Sequence, residues 1–84
     1  MSKDQIFQII KEQLQGLLPD LDPARIVPGA SMRDLGANSI DRADVIIGSM
    51  EALKLKIPLH EFGALKNLGQ LVDFYFSRLH SGHA

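Results

Sequence analysis

The chain contains no cysteine. Disulfides, thiolate metal sites and a thiol nucleophile supplied by the protein are therefore excluded. It also lacks a basic excess: nine Lys and Arg stand against ten Asp and Glu, for a formal net charge of −1. That balance argues against a nucleic-acid binder, which gathers cations on one face. No apolar run approaches the length of a membrane-spanning helix, so no membrane contact is expected. The start, Met1-Ser2-Lys3-Asp4, lacks the basic-then-apolar order of a secretion signal, and the expected location is the cytoplasm. Strand signals are weak throughout, and no internal repeat or low-complexity tract occurs. What is present is 84 residues, 45% of them hydrophobic. That suits one small packed domain over 1–84 and leaves little room for a buried multi-residue active site.

Ile6, Phe7, Ile9, Ile10, Leu14, Leu17 and Leu18 recur at helical spacing, with charged and amide residues on the other face. Ser2 or Asp4 can cap this first helix, and Pro19 ends it. Residues 19–38 form a long connection punctuated by Pro19, Pro23, Pro28, Gly29 and Gly36. A loop of that length in a small domain is usually functional or tied down by its own side chains. Leu21, Ile26, Val27, Met32 and Leu35 are its expected anchors, and residues 31–35 can add one helical turn. A second helix is expected over 39–53, with Ala43, Ile46, Met50 and Leu53 facing the core. A short third helix is expected within 59–66, interrupted by Gly63. Asn67 can cap a final helix carrying Leu68, Leu71, Val72, Tyr75, Phe76 and Leu79, with Gln70 in capping-box position. A frayed tail is expected over 81–84. The expected fold is all-α: a small four-helix bundle of three longer helices and one short one, with a long loop between the first two.

The most informative stretch is Asp34-Leu35-Gly36-Ala37-Asn38-Ser39-Ile40-Asp41. A glycine turn delivers a serine hydroxyl to the first turn of an amphipathic helix, beside free N–H groups and the positive end of the helix dipole. A phosphodiester on that hydroxyl would be favourably placed. Taken alone, Ser39 reads first as a plain helix cap, and it is the surrounding residues that favour the other reading. Along the same helix Ile40, Asp44, Ile47 and Glu51 form a second stripe. Its mixture of apolar and acidic residues on a solvent face suits a partner contact.

This stretch resembles the phosphopantetheine attachment motif of acyl carrier proteins, and the resemblance extends over nearly the whole chain. It implies a carrier that holds an acyl group as a thioester and is not itself an enzyme. A phosphopantetheinyl transferase would move 4′-phosphopantetheine from coenzyme A to Ser39, and the sulfur absent from the chain would come from that arm. Gly36 matches the family glycine of the loop, and Asp34, Leu35 and Asn38 match positions that hold the site. Ile40, Asp41, Arg42, Asp44, Ile47 and Glu51 are the implied partner-binding residues.

Three features depart from the common fatty-acid pattern. Asn38 stands where those carriers usually have Asp, Arg42 lies in the first turn of the second helix, and Lys54 and Lys56 follow that helix. Leu35-Gly36-Ala37-Asn38-Ser39-Ile40 also leans toward peptidyl carriers. The longer run Gly36-Ala37-Asn38-Ser39-Ile40-Asp41-Arg42-Ala43-Asp44-Val45 is similar to free-standing carriers of polyketide synthases that build β-branches. For that group the implied partners are an acyltransferase that loads malonyl and a decarboxylating ketosynthase-like enzyme that leaves acetyl. An HMG-CoA-synthase-like enzyme then receives the acetyl group. Arg42 becomes a candidate specificity contact. A monomer is expected.

Other readings remain open at this point: a fatty-acid-type or discrete peptidyl carrier, an unmodified docking module, or a small hydrolase built on Ser39, His60 and Asp34. The last needs a buried, oriented base and an oxyanion hole, which a serine on a helix tip does not offer. His60, His80 and His83 lack metal-ligand spacing, so no metal site is expected. Ile46, Met50, Leu53, Ile57, Phe62, Leu65 and Leu71 either line a small acyl cleft or simply form the core.

Overall fold

The structure is a computed structural model that describes residues 1–80. The tail expected over 81–84, with His83, lies outside the described residues. Three α-helices, α1 (Lys3–Leu17), α2 (Ser39–Leu53) and α3 (Leu68–Leu79), are joined by connections that contain two short 3-10 turns, Pro23–Arg25 and Leu59–Phe62. Among the described residues there is no strand, and no helix is long and apolar enough to cross a membrane.

Each helix begins where its sequence supplies an acceptor for otherwise unpaired amides. Ser2 caps α1 in a reciprocal box with Gln5. Asn67 caps α3 by accepting from the Gln70 amide, and the Gln70 side chain accepts from Lys66 N–H rather than from the cap. The α1 stripe narrows to Ile6, Ile10 and Leu14, all fully buried. Complete burial of such side chains is worth roughly 1.5–3 kcal/mol each. Leu17, at the end of the same pattern, is exposed.

The expected short third helix is a single 3-10 turn of four residues, preceded by Pro58. Four residues are too few to establish an i→i−4 ladder, and Pro58 bars helical geometry at Ile57. The bundle therefore has three helices rather than four. Phe62 nonetheless fixes this turn, meeting Phe74 and Tyr75 edge-on at centroid distances of 5.1 and 5.8 Å.

The core face of α2 also differs from expectation. Val45, Ser49 and Leu53 are buried, whereas Ala43, Ile46 and Met50 are only half-buried. A polar residue is tolerated in that stripe because Ser49 Oγ donates to the Val45 carbonyl at 2.7 Å and meets Tyr75 Oη at 2.6 Å. These bonds fasten α2 to α3. Burial pushes the Tyr75 phenol up to about 12, and the Ser49 hydrogen bond offsets part of that rise.

The long connection is tied to α3 by its own carbonyls. Ala30 O and Pro28 O accept from the Leu68 and Gly69 amides at 2.9 and 2.8 Å, satisfying donors that a helix start leaves orphaned. Ile26 and Leu35 are buried as expected and Leu21 and Met32 partly so, but Val27 points to solvent.

Candidate functional site

The site is built around the step from the long connection into α2. Residues 31–37 make one helical turn capped at both ends. Ser31 Oγ accepts from the Asp34 amide at 3.0 Å. At the other end Ala37 N–H bonds back to Met32 O and Gly36 N–H to Arg33 O, both at 3.0 Å. This is a Schellman closure, and it needs a left-handed residue. Gly36 provides it at φ 98°, beyond the range an L-residue accepts readily. Leu35 and Ala37 on either side are buried and hold the turn to the body.

Two arginines grip the backbone of this turn. Arg25 Nη2 donates to Asp34 O and Arg42 Nη1 to Ala37 O, each at 3.0 Å. Sequence reasoning missed Arg25, because nothing local ties it to a carbonyl nine residues later. The bond to Ala37 O changes the picture of Arg42. It is half-buried and already engaged with the loop, not a freely solvated helix charge.

Asn38, not Ser39, caps α2. Asn38 Oδ1 accepts from Asp41 N–H at 2.8 Å, and Asp41 Oδ2 accepts from Asn38 N–H at 3.3 Å. Ser39 is consequently the first helical residue, exposed, with a hydroxyl that makes no hydrogen bond within the protein. The Ser39 and Ile40 amides also donate to no protein acceptor. An exposed nucleophilic oxygen thus lies beside two free N–H donors at the positive end of a helix, a setting that fits a phosphodiester.

The other residues singled out from the sequence fall as follows. Ile40 is 72% exposed and Ile47 42%. Asp44 and Glu51 are exposed on the same stripe, while Asp41 is half-buried in the capping box. Asp34 is exposed at its side chain and held through its backbone alone, its amide by Ser31 and its carbonyl by Arg25. His60 lies exposed in the second 3-10 turn and makes no hydrogen bond to Ser39 or Asp34. Among the described residues no group of three His, Asp or Glu side chains could hold a metal ion.

The seven apolar residues read as either a cleft or a core divide between the two. Leu53, Ile57, Phe62 and Leu71 are buried in the core. Ile46, Phe62, Leu65 and Leu71 also line a hollow of about 400 Å³ between the 31–33 turn, α2 and the start of α3. Met50 and Ile57 face a second, separate hollow with Ile47 and Glu51.

Residues 5–75 match the family model described as a phosphopantetheine attachment site. The chain is 37% identical to the polyketide biosynthesis acyl-carrier-protein AcpK of Bacillus subtilis, over 96% of this chain and 99% of that one. It is 33% identical to an acyl carrier protein of Thermosynechococcus vestitus, over 77% and 85% of the two chains. Among solved structures it is similar to a chain from the complex of the curacin-pathway HMG synthase with acetyl donor-ACP. That match has a TM-score of 0.82 and 38% identity, over 93% of this chain and 99% of the other. A family-model match that runs through all three helices, together with a carrier relative 37% identical over nearly the whole of both chains, places the chain in the acyl carrier protein family, whose hallmark is covalently attached phosphopantetheine.

Proposed function

We propose that Ser39 is the attachment residue and that the chain is the acetyl-donor carrier of a polyketide β-branching cassette. The observation that carries the attachment reading is the free Ser39 hydroxyl at the first position of α2, with two unpaired amides beside it. A phosphopantetheinyl transferase acting on coenzyme A would form the Ser39 Oγ–phosphorus bond and break the diphosphate bridge, releasing adenosine 3′,5′-bisphosphate, with the hydroxyl proton passing to a base of the transferase. The arm supplies the thiol that a cysteine-free chain lacks. The chain's own residues do the rest. Gly36, Leu35 and Asn38 set the hydroxyl outward, and Arg25 and Arg42 hold the backbone on either side.

The donor role is supported by similarity to the curacin acetyl donor-ACP complex and to AcpK. In this reading an acyltransferase loads malonyl, a decarboxylating ketosynthase-like partner leaves acetyl, and an HMG-CoA-synthase-like enzyme takes the acetyl group. Ile40, Asp44, Ile47 and Glu51 present the exposed stripe for those partners. The two-carbon cargo needs no deep acyl pocket, and a cytoplasmic setting goes with the coenzyme A donor.

The test is intact mass after incubation with a broad-specificity transferase, coenzyme A and magnesium, alongside Ser39→Ala. One phosphopantetheinyl increment, absent from the variant, is expected. A folded wild-type chain that no transferase modifies would overturn the attachment reading. Acetyl transfer from the loaded carrier to an HMG-CoA-synthase-like enzyme, compared with a fatty-acid carrier as donor, then tests the pathway role.

A further inference from the structure

The hollow of about 400 Å³ beside the attachment loop has an unusual rim. Its lining includes Arg33, Arg42 and Lys66, and no Asp or Glu. Three cations around one hollow stand out in a chain whose net charge is −1. None of them is neutralised within the protein. The Arg33 and Lys66 side chains have no hydrogen-bond or ion-pair partner, and Arg42 has only the Ala37 carbonyl. Of the acidic residues next in sequence to the lining, Asp41 is engaged in the α2 cap and Glu61 with Arg78, while Asp34 beside Arg33 is exposed and pairs with none of the three cations. The floor is apolar, made by Met32, Ile46, Phe62, Leu65, Leu68 and Leu71. A short carbon chain ending in a carboxylate fits that combination, because the anion meets the rim and the methylene group meets the floor.

The hollow is also within the site's reach by construction. Arg42 lines it and follows Ser39 by three residues, so the two lie on neighbouring positions of one helix face. Anything tethered to Ser39 visits the hollow at high effective concentration, so even a weak charge contact becomes populated.

We infer that this hollow is a resting site for a carboxylate-terminated acyl thioester carried on Ser39, held by Arg33, Arg42 and Lys66. The inference rests on Ser39 being the attachment residue and adds to it a class of cargo. A malonyl group is docked through its carboxylate. An acetyl group has no carboxylate, is not docked, and stays exposed to the enzyme that takes it. The hollow thereby separates the two forms of the cargo by charge, not by chain length.

The experiment compares backbone amide spectra of the carrier loaded with malonyl, acetyl or acetoacetyl, the last being nearly the shape of malonyl without its charge. Mass spectrometry first verifies that each form is modified and loaded. Failure at that step would count against the attachment reading, whereas the spectra judge only this inference. The malonyl form is expected to shift the amides of Arg33, Leu65, Lys66 and Leu68 relative to acetyl, and acetoacetyl is expected to leave them unmoved. Arg33→Gln and Lys66→Gln, both at exposed positions, each lower the docked-to-undocked ratio by about threefold to fivefold, as exposed charge pairs do. The double variant loses the malonyl-specific shifts, with the rest of the spectrum unchanged as the control for folding.

Three results would overturn the inference. Acetoacetyl shifting the same amides would make the hollow a neutral acyl pocket. Shifts already complete in the acetyl form would mean that the cations hold only the phosphodiester of the arm. Malonyl-specific shifts that persist in the double variant would mean that the carboxylate is held elsewhere.

Discussion

Before α2 and again after it, the chain leaves a helical turn through a left-handed residue, Gly36 at φ 98° and Lys54 at φ 58°. The hydrogen bonding is the same at both. Gly36 and Ala37 bond back to Arg33 and Met32, and Lys54 and Leu55 to Glu51 and Met50. The residues differ because the angles differ. A φ of 58° lies in the small left-handed well open to L-residues, and 98° does not. The two halves of the helix differ in a related way. Its amino end turns a hydroxyl and two amides outward, whereas its carboxyl half turns the Ser49 hydroxyl inward onto Tyr75. One end leaves its polar groups open to solvent, and the other fastens the helix to α3.

The fastening half is where the largest effect is expected. Tyr75 ionises near 10 when unfolded, and its phenol is held up to about 12 in the fold. The folded state therefore keeps a proton that the unfolded state loses. This contribution is fully present below pH ~10 and disappears as pH rises through ~12, a loss of about 2–3 kcal/mol. Tyr75→Phe removes that part of the pH slope. Urea unfolding at stepped pH measures it, and because Tyr75 is the one tyrosine, phenolate absorbance follows its titration directly. An ordinary tyrosine titration in the native protein would dissolve the contrast between the two halves.

Next in size is Gly36→Ala. Added at Gly36, a Cβ meets nothing within 4 Å, so any penalty is conformational, not steric. The expected loss is about 1–2 kcal/mol of stability, with slower phosphopantetheinylation because the loop no longer presets the hydroxyl. A variant as stable as the parent would show that the two left-handed turns are equivalent.

The cap and the proposed attachment residue are neighbours with separable expected roles. Asn38→Ala is expected to cost about 1 kcal/mol. Ser39→Ala is expected to change stability by less than about 0.5 kcal/mol, since its hydroxyl bonds nothing inside the protein, yet to abolish modification. Equilibrium unfolding and intact mass on the same two samples separate the effects. The reverse order of stability would make Ser39 the true cap.

The smallest effect has the opposite sign. Lys54→Gly removes the mild strain at φ 58° at the expense of a more flexible unfolded chain. A net gain of about 0.5 kcal/mol is expected. Paired with Gly36→Ala, it sharpens the comparison: one left-handed position requires glycine and the other merely tolerates its absence.

Much of this site was legible in advance because it is local. Gly36, the cap residues and the exposed stripe of Ile40, Asp44, Ile47 and Glu51 follow from turn chemistry and helical spacing within a dozen residues. The misreadings were of longer range or of one helical step. The expected core stripe of α2, Ala43, Ile46, Met50 and Leu53, is displaced by one step because a stripe of apolar residues alone leaves out Ser49, which lies midway between Val45 and Leu53 at i+4 spacing. The expected short third helix is a 3-10 turn because Pro58 and its four-residue length leave no room for an i→i−4 ladder, while Phe62 docks on α3 all the same.

By itself, the sequence determined that the chain is helical, that it carries no thiol of its own, and that a serine stands at the start of a helix after a glycine turn. Those properties depend on composition, caps and periodicity, which act over a few bonds. Only the tertiary structure decided that Arg25 and Arg42 clasp the loop, that Tyr75 closes on Ser49, and that Arg33, Arg42 and Lys66 surround one hollow. These residues are separated by up to thirty-three positions along the chain. Their meeting depends on how three helices pack, and no local preference encodes that.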